Sequence, residues 1–281
     1  LADSSEPRGR EDITLPMPHH FNHAIAYIEY ADGKGQFVDG TATFNGFDEL
    51  PGGDAGAHVV IVRPEGGEQT QIPTPAPAQN AAIEEASLEF LGNGKVKLSV
   101  KLTATGDRAS FLRAIYLQSG SRTTQIENQW ARHKPGAKVL KVEANDLANI
   151  DLAPEVRYEV EIPDAYTTDA QGNIEVAAAL NPLLFAKGMA AATTRRTDIA
   201  MNEPYQWHST VRIKLPEGRI VENTASLFAD ALGIALGVSV EVIDREVVIT
   251  RTYASKGGVI TASDYPKLRA MMLAHDRAEA A

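Results

Sequence analysis

The feature that most constrains the fold is a strict alternation of apolar and polar side chains in several short segments. Residues 95–103, KVKLSVKLT, place valine and leucine on one side of the chain and mostly lysine on the other. A period of two is that of a β-strand with one buried and one solvated face, and alternation returns at 156–162, 207–215 and 247–253. The sequence therefore predicts a mainly β (α+β) chain whose sheet is open to water on one side.

Helical patterns interrupt these strands at two places. Residues 107–116 and about 119–132 repeat apolar side chains at helical spacing, and residues 267–280 do so again at the C-terminus. Strands in series with turn signals between them are typical of an antiparallel sandwich or half-barrel. From residue 81 onward the sequence therefore predicts a β-sandwich-like domain with a helical insertion and a C-terminal helix.

The clearest boundary in the chain is residues 63–80, RPEGGEQTQIPTPAPAQN. Three prolines at alternate positions favour an extended conformation and remove ladder donors, as in a linker. The predicted organisation is an N-terminal unit at 1–62, a Pro/Gly-rich linker at 63–80 and a C-terminal β-rich domain at 81–281.

Charge and composition exclude several classes of function. The formal net charge of −10 argues against a nucleic-acid partner, which requires clustered lysine and arginine. No apolar run is long enough to cross a bilayer, so no membrane span is expected. The chain contains no cysteine, which removes disulfides, thiolate metal sites and a cysteine nucleophile from these residues. We also expect no cofactor.

The candidate catalytic residues are His23 and Asp39. His23 opens an alternating run, a turn follows at residues 31–35, and Asp39 ends the return run. A catalytic histidine needs a carboxylate to fix its tautomer, and the two arms of a hairpin present such a pair at hydrogen-bonding range. The same spacing also fits a half-buried histidine near a strand start and an aspartate in a turn. Spacing alone leaves both interpretations open.

Two other groups of residues suggest binding, with a simpler alternative for each. His19 and His20 lie next to His23, but ligands on one extended segment do not converge and no cysteine or clustered carboxylate completes a set. We therefore interpret them as solvated loop histidines and predict no metal site. Four aromatic residues suit a glycan- or peptide-binding face, although packing in the core or at a sheet edge is the interpretation we favour: Trp130, Tyr205, Trp207 and Phe228.

Two phrases near the N-terminus resemble a known family. Residues 21–25, FNHAI, and 37–42, FVDGTA, are similar to the His and Asp segments of the transglutaminase-like, papain-type superfamily. More narrowly, the chain resembles bacterial three-part proteins in which a transglutaminase-like core lies between a DUF3857 and a DUF3858 domain. The linker and the phrase at 260–269 fit that layout by order and pattern. Gly40 departs from the family pattern, where proline is usual, and a glycine there loosens the turn that holds Asp39.

The resemblance implies a catalytic role for this pair. His23 would be the general base and Asp39 its orienting partner in a Cys-His-Asp triad, with the cysteine on a helix upstream of Leu1. Residues 1–62 would be the remnant antiparallel sheet of the transglutaminase-like core, and 81–281 would be a domain of DUF3858 type. The chain would then be a processed or truncated C-terminal portion of a cysteine acyltransferase or protease, and inactive by itself.

The resemblance also implies partners and a location. The expected partners are the Cys-bearing N-terminal half of the same precursor and an unidentified protein or peptide substrate. The expected location is the periplasm or the extracellular space of a bacterium. The alternative function is a non-catalytic β-rich binding or structural module of a cell-envelope protein.

Overall fold

The computed structural model describes residues 1–2, 20–201, 204–215, 221 and 226–280. These residues form sixteen strands and four α-helices, so the predicted mainly β class is confirmed. In chain order the elements are β1 Ala26–Glu29, β2 Gly35–Val38, β3 His58–Arg63, β4 Gly66–Gln71, β5 Ala81–Gly92, β6 Lys95–Ala104, α1 Asp107–Tyr116, α2 Arg122–Ala131, β7 Lys138–Ala144, β8 Glu155–Ile162, β9 Thr167–Thr168, β10 Ile174–Glu175, α3 Phe185–Met189, β11 Ile199–Met201, β12 Tyr205–Lys214, β13 Leu227–Ala231, β14 Ile234–Ile243, β15 Glu246–Ser255, β16 Gly258–Ile260 and α4 Tyr265–Ala280.

The N-terminal unit consists of two antiparallel hairpins joined by the first residues of the chain. β1 pairs with β2, and β3 pairs with β4. Ala2 forms one bridge to His23 and another to Val59, so it lies between the two hairpins. Ala2, Val59 and Ile72 are buried in a small shared core. Residues 3–19 of the predicted unit lie outside the described residues.

The predicted linker at 63–80 contains a strand that the sequence pattern did not reveal. Residues 66–71 form β4, because all the prolines of the linker except Pro64 follow this segment and leave its backbone donors available for a ladder. The extended, unpaired part begins after Ile72 and ends in a short 3₁₀ turn at residues 77–79. The 3₁₀ turn lies against the start of α1. There Gly106 has φ +57°, and a Cβ added at this glycine would lie 2.5 Å from the Gln79 carbonyl oxygen.

The C-terminal part is built on one eight-stranded sheet in the order β13-β14-β15-β12-β5-β6-β8-β7. Neighbouring strands are antiparallel except β12 and β5, which run parallel with Ile213 opposite Leu88. This parallel pair joins two antiparallel halves that are far apart in the sequence.

Helices cover one face of this sheet, where the sandwich prediction placed a second sheet. α1 and α2 pack on the half that contains β5 to β8, and α4 packs on β13 and β14. The remaining strands of this part, β9, β10, β11 and β16, have only two or three residues each and form small separate ladders. Two hydrophobic cores result, one beneath each group of helices.

The other face of the β5–β6–β8 region is charged and exposed, as the alternating pattern predicts. Cross-strand ion pairs join Lys97 to Glu89 at 2.8 Å and Lys101 to Glu85 at 3.0 Å. Exposed ion pairs of this kind contribute little to stability. Their main consequence is that this face stays solvated while the apolar positions face the helices.

Candidate functional site

The structure brings His23 and Asp39 together. His23 lies three residues before β1 and Asp39 directly follows β2, so the hairpin register places both at its open end. The Nε2 atom of His23 lies 3.2 Å from Oδ2 of Asp39. The side chain of His23 is 23 % exposed and that of Asp39 only 4 %. The histidine is therefore accessible while its carboxylate partner is shielded.

Local hydrogen bonds fix the Asp39 carboxylate. Its Oδ1 accepts from the backbone N–H of Thr41 at 2.9 Å and from the Thr41 hydroxyl at 2.8 Å. Burial by itself would raise the pKa of Asp39, but these two bonds and the contact with His23 outweigh it and lower that pKa. Asp39 is therefore an anion at neutral pH. The hydrogen bonds from Thr41 hold its carboxylate in place, although Gly40 leaves the turn itself less rigid than a proline would.

The backbone of His23 is also held in place. Its carbonyl accepts from the N–H of Ala2 at 2.8 Å, and its own N–H donates to the Ala2 carbonyl at 3.0 Å. Within the hairpin the rings of Tyr27 and Phe37 pack with their centroids 4.8 Å apart. The imidazole thus projects from a segment that is hydrogen bonded to Ala2 and leads directly into the packed hairpin.

Asp54 is a third member of the site that sequence reasoning missed. It lies in a turn-rich loop, is 1 % exposed, and its backbone is hydrogen bonded to Pro51 and Ala57. One ligand atom from each of His23, Asp39 and Asp54 lies within 4.8 Å of the other two. The available signal was a lone aspartate in the glycine-rich segment GGDAG.

These three side chains are of the types that hold a divalent cation. The structure therefore offers a set of ligands that the prediction of no metal site did not anticipate. Among the described residues this set does not include His20, and His19 lies outside those residues.

A second cluster of charges is buried between the sheet and α4. Arg251 of β15 is 1 % exposed, and its guanidinium contacts Glu279 at 3.1 Å and Glu84 at 3.5 Å. It also donates to the Asn181 side chain at 3.0 Å. Burial raises the pKa of Glu279, against the opposing effect of Arg251. This cluster ties the C-terminal helix to both halves of the sheet.

His275 of α4 lies beside this cluster. Its side chain is fully buried, and neither ring nitrogen has a hydrogen-bond partner within the described part of the chain. The ring packs against Phe185, with centroids 5.1 Å apart. Burial lowers its pKa, so the imidazole is neutral and acts as a packing group.

The four aromatic residues of the sequence analysis do not share one face. Trp130 of α2 is buried in the core between this helix and the sheet, which agrees with the favoured interpretation. Phe228 is 75 % exposed and lies on the opposite face of the sheet, beside Gly237. Tyr205 and Trp207 are only half-buried and line a cleft.

Comparison with known proteins identifies one part of the chain. Residues 175–281 match the family model described as "Domain of Unknown Function with solved-structure structure", DUF3858. The predicted DUF3858 type is thus confirmed for residues 175–281, from the end of β10 to α4, a segment that supplies one half of the large sheet. A search of curated proteins and a search of solved structures found no match. Within the described residues, no helix combines the length and apolar character needed to cross a membrane.

Proposed function

We propose that this chain supplies the base and the orienting carboxylate of a Cys-His-Asp acyl-transfer site. The cysteine would come from a segment that precedes these residues in the same gene product, a transglutaminase-like acyltransferase or peptidase. The observation that carries the proposal is the 3.2 Å contact between His23 Nε2 and the shielded Asp39 carboxylate.

In this proposal each ring nitrogen of His23 has its own role. Asp39 accepts from Nε2–H, so Nδ1 is the nitrogen that takes the thiol proton. The resulting thiolate attacks the acyl carbonyl of the substrate, while Asp39 stabilises the imidazolium. The imidazolium then protonates the leaving amine and a thioester remains. Water or a second amine resolves the thioester with His23 as base again.

Two features of the chain support this proposal beyond the pair itself. The DUF3858 match at 175–281 lies C-terminal to the His and Asp phrases, in the order of the three-part proteins that the chain resembles. The N-terminal unit also exposes large apolar side chains, including Phe47 at 59 % and Val62 at 72 %. Such exposure suits a surface covered by another segment, which would be the Cys-bearing half. The bacterial and periplasmic or extracellular setting belongs to the same proposal.

A second candidate function is a non-catalytic binding module. The aromatic-lined cleft that contains Tyr205 and Trp207 favours it, because this cleft lies in the C-terminal sheet and shares no residue with the His23 site. The two functions are compatible within one protein.

Thiol labelling of the intact gene product tests the catalytic proposal. At neutral pH a paired histidine holds a cysteine as thiolate, so we expect rapid reaction with iodoacetamide and at least about a tenfold slower reaction in His23→Gln. The matched control is His208→Gln, because His208 lies in β12 and hydrogen bonds to Thr210. Equal labelling rates in His23→Gln and the unchanged protein would contradict the proposal.

A further inference from the structure

The last turns of α4 bring three side chains that can ligate a metal close together in the core. His275 and Glu279 are fully buried and, at a spacing of four residues, lie on one face of the helix, while Asp276 is 17 % exposed at its side chain. Nδ1 of His275 lies 3.9 Å from Oδ1 of Asp276 and 3.9 Å from Oε2 of Glu279. One ligand atom from each of the three residues lies within 4.8 Å of the other two.

These distances suit a bound ion better than direct contacts. Zn²⁺ binds histidine nitrogen and carboxylate oxygen at about 2.0–2.2 Å, so two ligand atoms of a tetrahedral zinc site are about 3.3 Å apart. The two 3.9 Å distances are slightly longer than that spacing and too long for hydrogen bonds. The three atoms therefore surround a position that a small cation can occupy after minor side-chain movement.

The ring of His275 gives an independent indication of a ligand. Neither of its nitrogens has a hydrogen-bond partner within the described part of the chain, and the same holds for Oδ1 of Asp276. Packing against Phe185 accounts for the position of the ring but satisfies no polar atom. Buried polar atoms without partners cost free energy, and in native structures they are signs of a bound water or ion. A neutral imidazole is also the form that binds a metal.

Backbone donors hold both carboxylates in place. Oδ2 of Asp276 accepts from the N–H of Ala186 at 3.0 Å, and its Oδ1 lies toward His275. Oε2 of Glu279 accepts from the N–H of Leu183 at 2.7 Å and retains a second lone pair for a metal. Hydrogen bonds of this kind orient metal ligands and strengthen metal binding.

Charge favours a cation at the same place. The carboxylates of Glu84, Asp276 and Glu279 belong to a cluster in which Arg251 is the cation that contacts Glu84 and Glu279. When all four groups are ionised, negative charge exceeds positive charge by two, which a divalent cation balances. The C-terminal end of a helix also attracts cations, and α4 ends at residue 280. Protonation of Glu279 would relieve part of the same excess, so the experiment has to distinguish a proton from a metal.

We propose that His275, Asp276 and Glu279 form a structural zinc site. His275 binds through Nδ1, Asp276 through Oδ1 and Glu279 through Oε2, and a water molecule on the partly exposed side of Asp276 completes the tetrahedron. Zinc suits this mixture of imidazole and carboxylate, whereas Mg²⁺ prefers oxygen ligands alone. The ion would fix α4 to the segment at 183–186, which already donates to both carboxylates. The site lies within residues 175–281 and shares no residue with the His23 site, so the inference is independent of the proposed function.

The histidine rings of the unchanged chain allow a direct test. The chain has no cysteine, so no thiol competes for zinc. After treatment with EDTA and dialysis, titration with ZnCl₂ is followed in a long-range ¹H–¹⁵N spectrum. We expect a saturable shift of Nδ1 of His275 with one equivalent bound there, unchanged signals from His133 and His208, and no such shift with MgCl₂. A His275 ring that does not respond to zinc, as expected if a proton on Glu279 alone relieves the charge, would overturn the proposal.

Matched variants test the assigned ligands by isothermal titration calorimetry. Asp276→Asn keeps an oxygen acceptor for the N–H of Ala186 and is expected to weaken zinc binding at least about tenfold. His275→Gln should abolish binding at this site. His23→Gln, in the other set of possible ligands, and Asp32→Asn, in the exposed β1–β2 turn, should leave it unchanged. Equal zinc affinities in Asp276→Asn and the unchanged chain, or loss of all zinc binding in His23→Gln, would each contradict the proposal.

Discussion

Replacing Arg251 by methionine is expected to lower the free energy of unfolding by about 3–5 kcal/mol. The guanidinium is 1 % exposed and lies between the carboxylates of Glu84 and Glu279, so its removal leaves two acidic groups without their buried cation. Solvent does not reach Glu279, which is fully buried, and cannot replace the lost contacts there. Urea unfolding at neutral pH measures the loss.

Arg212→Met is the matched control for this prediction. Arg212 lies on the solvated face of β12, is 55 % exposed at its side chain and pairs with Glu246 at 3.6 Å. Its replacement should change stability by no more than about 1 kcal/mol. The double variant Arg251→Met, Glu279→Leu should recover part of the loss, because it also removes one buried charge. Equal effects of Arg251→Met and Arg212→Met would contradict the structural role assigned to Arg251.

The second large effect is expected in catalysis by the intact gene product. Asp39→Asn should lower the rate of thioester formation by roughly 10² to 10⁴-fold while leaving the fold intact. An asparagine does not stabilise the imidazolium, and its amide group can turn its own donor toward Nε2 and select the wrong tautomer. Single-turnover acylation with a peptide substrate measures the rate.

Thr41→Val gives a graded comparison. It keeps the Asp39 carboxylate but removes the hydroxyl that donates to it at 2.8 Å. The expected loss of rate is therefore smaller than that in Asp39→Asn. Thr43→Val removes a hydroxyl from the same loop and should have no effect. A rate in Asp39→Asn equal to that of the unchanged protein would leave Asp39 with no part in the reaction.

The His23–Asp39 pair was predictable because its geometry is local. A turn at 31–35 between two short alternating runs defines a hairpin, and the ends of a hairpin converge whatever the rest of the chain does. Asp54 was not predictable in the same way. It reaches the pair through an irregular loop, and the spacing of the elements around it depends on long-range contacts such as the bridges that Ala2 makes to both hairpins.

The large sheet shows the same division between local and long-range information. Individual strands follow from alternation, and so does the solvated face marked by Lys97 and Lys101. The parallel pairing of β12 with β5 joins residues more than one hundred positions apart, and no local pattern specifies it. The sandwich prediction was based on the strand patterns alone. It did not take into account that the amphipathic helices α1, α2 and α4 could cover the apolar face of the sheet.

The buried charges did leave a signal in the sequence. Arg251 is in phase with Val247, Ile249 and Tyr253, all of which point toward the helices. Glu84 is likewise in phase with the buried positions of β5. A charged residue at an inward position predicts a partner in the core. The partner of Arg251 on α4, Glu279, lies on a separate element and could not be identified from spacing.

The most direct test of the central claim is the tautomer of His23 in this chain. A long-range ¹H–¹⁵N correlation spectrum, recorded at alkaline pH, distinguishes protonated from unprotonated ring nitrogens. We predict that Nε2 of His23 carries the proton and Nδ1 does not, and that Asp39→Asn disturbs this preference. A proton on Nδ1, or the same tautomer in the presence and absence of the Asp39 carboxylate, would contradict the assignment of His23 as base and Asp39 as its orienting partner.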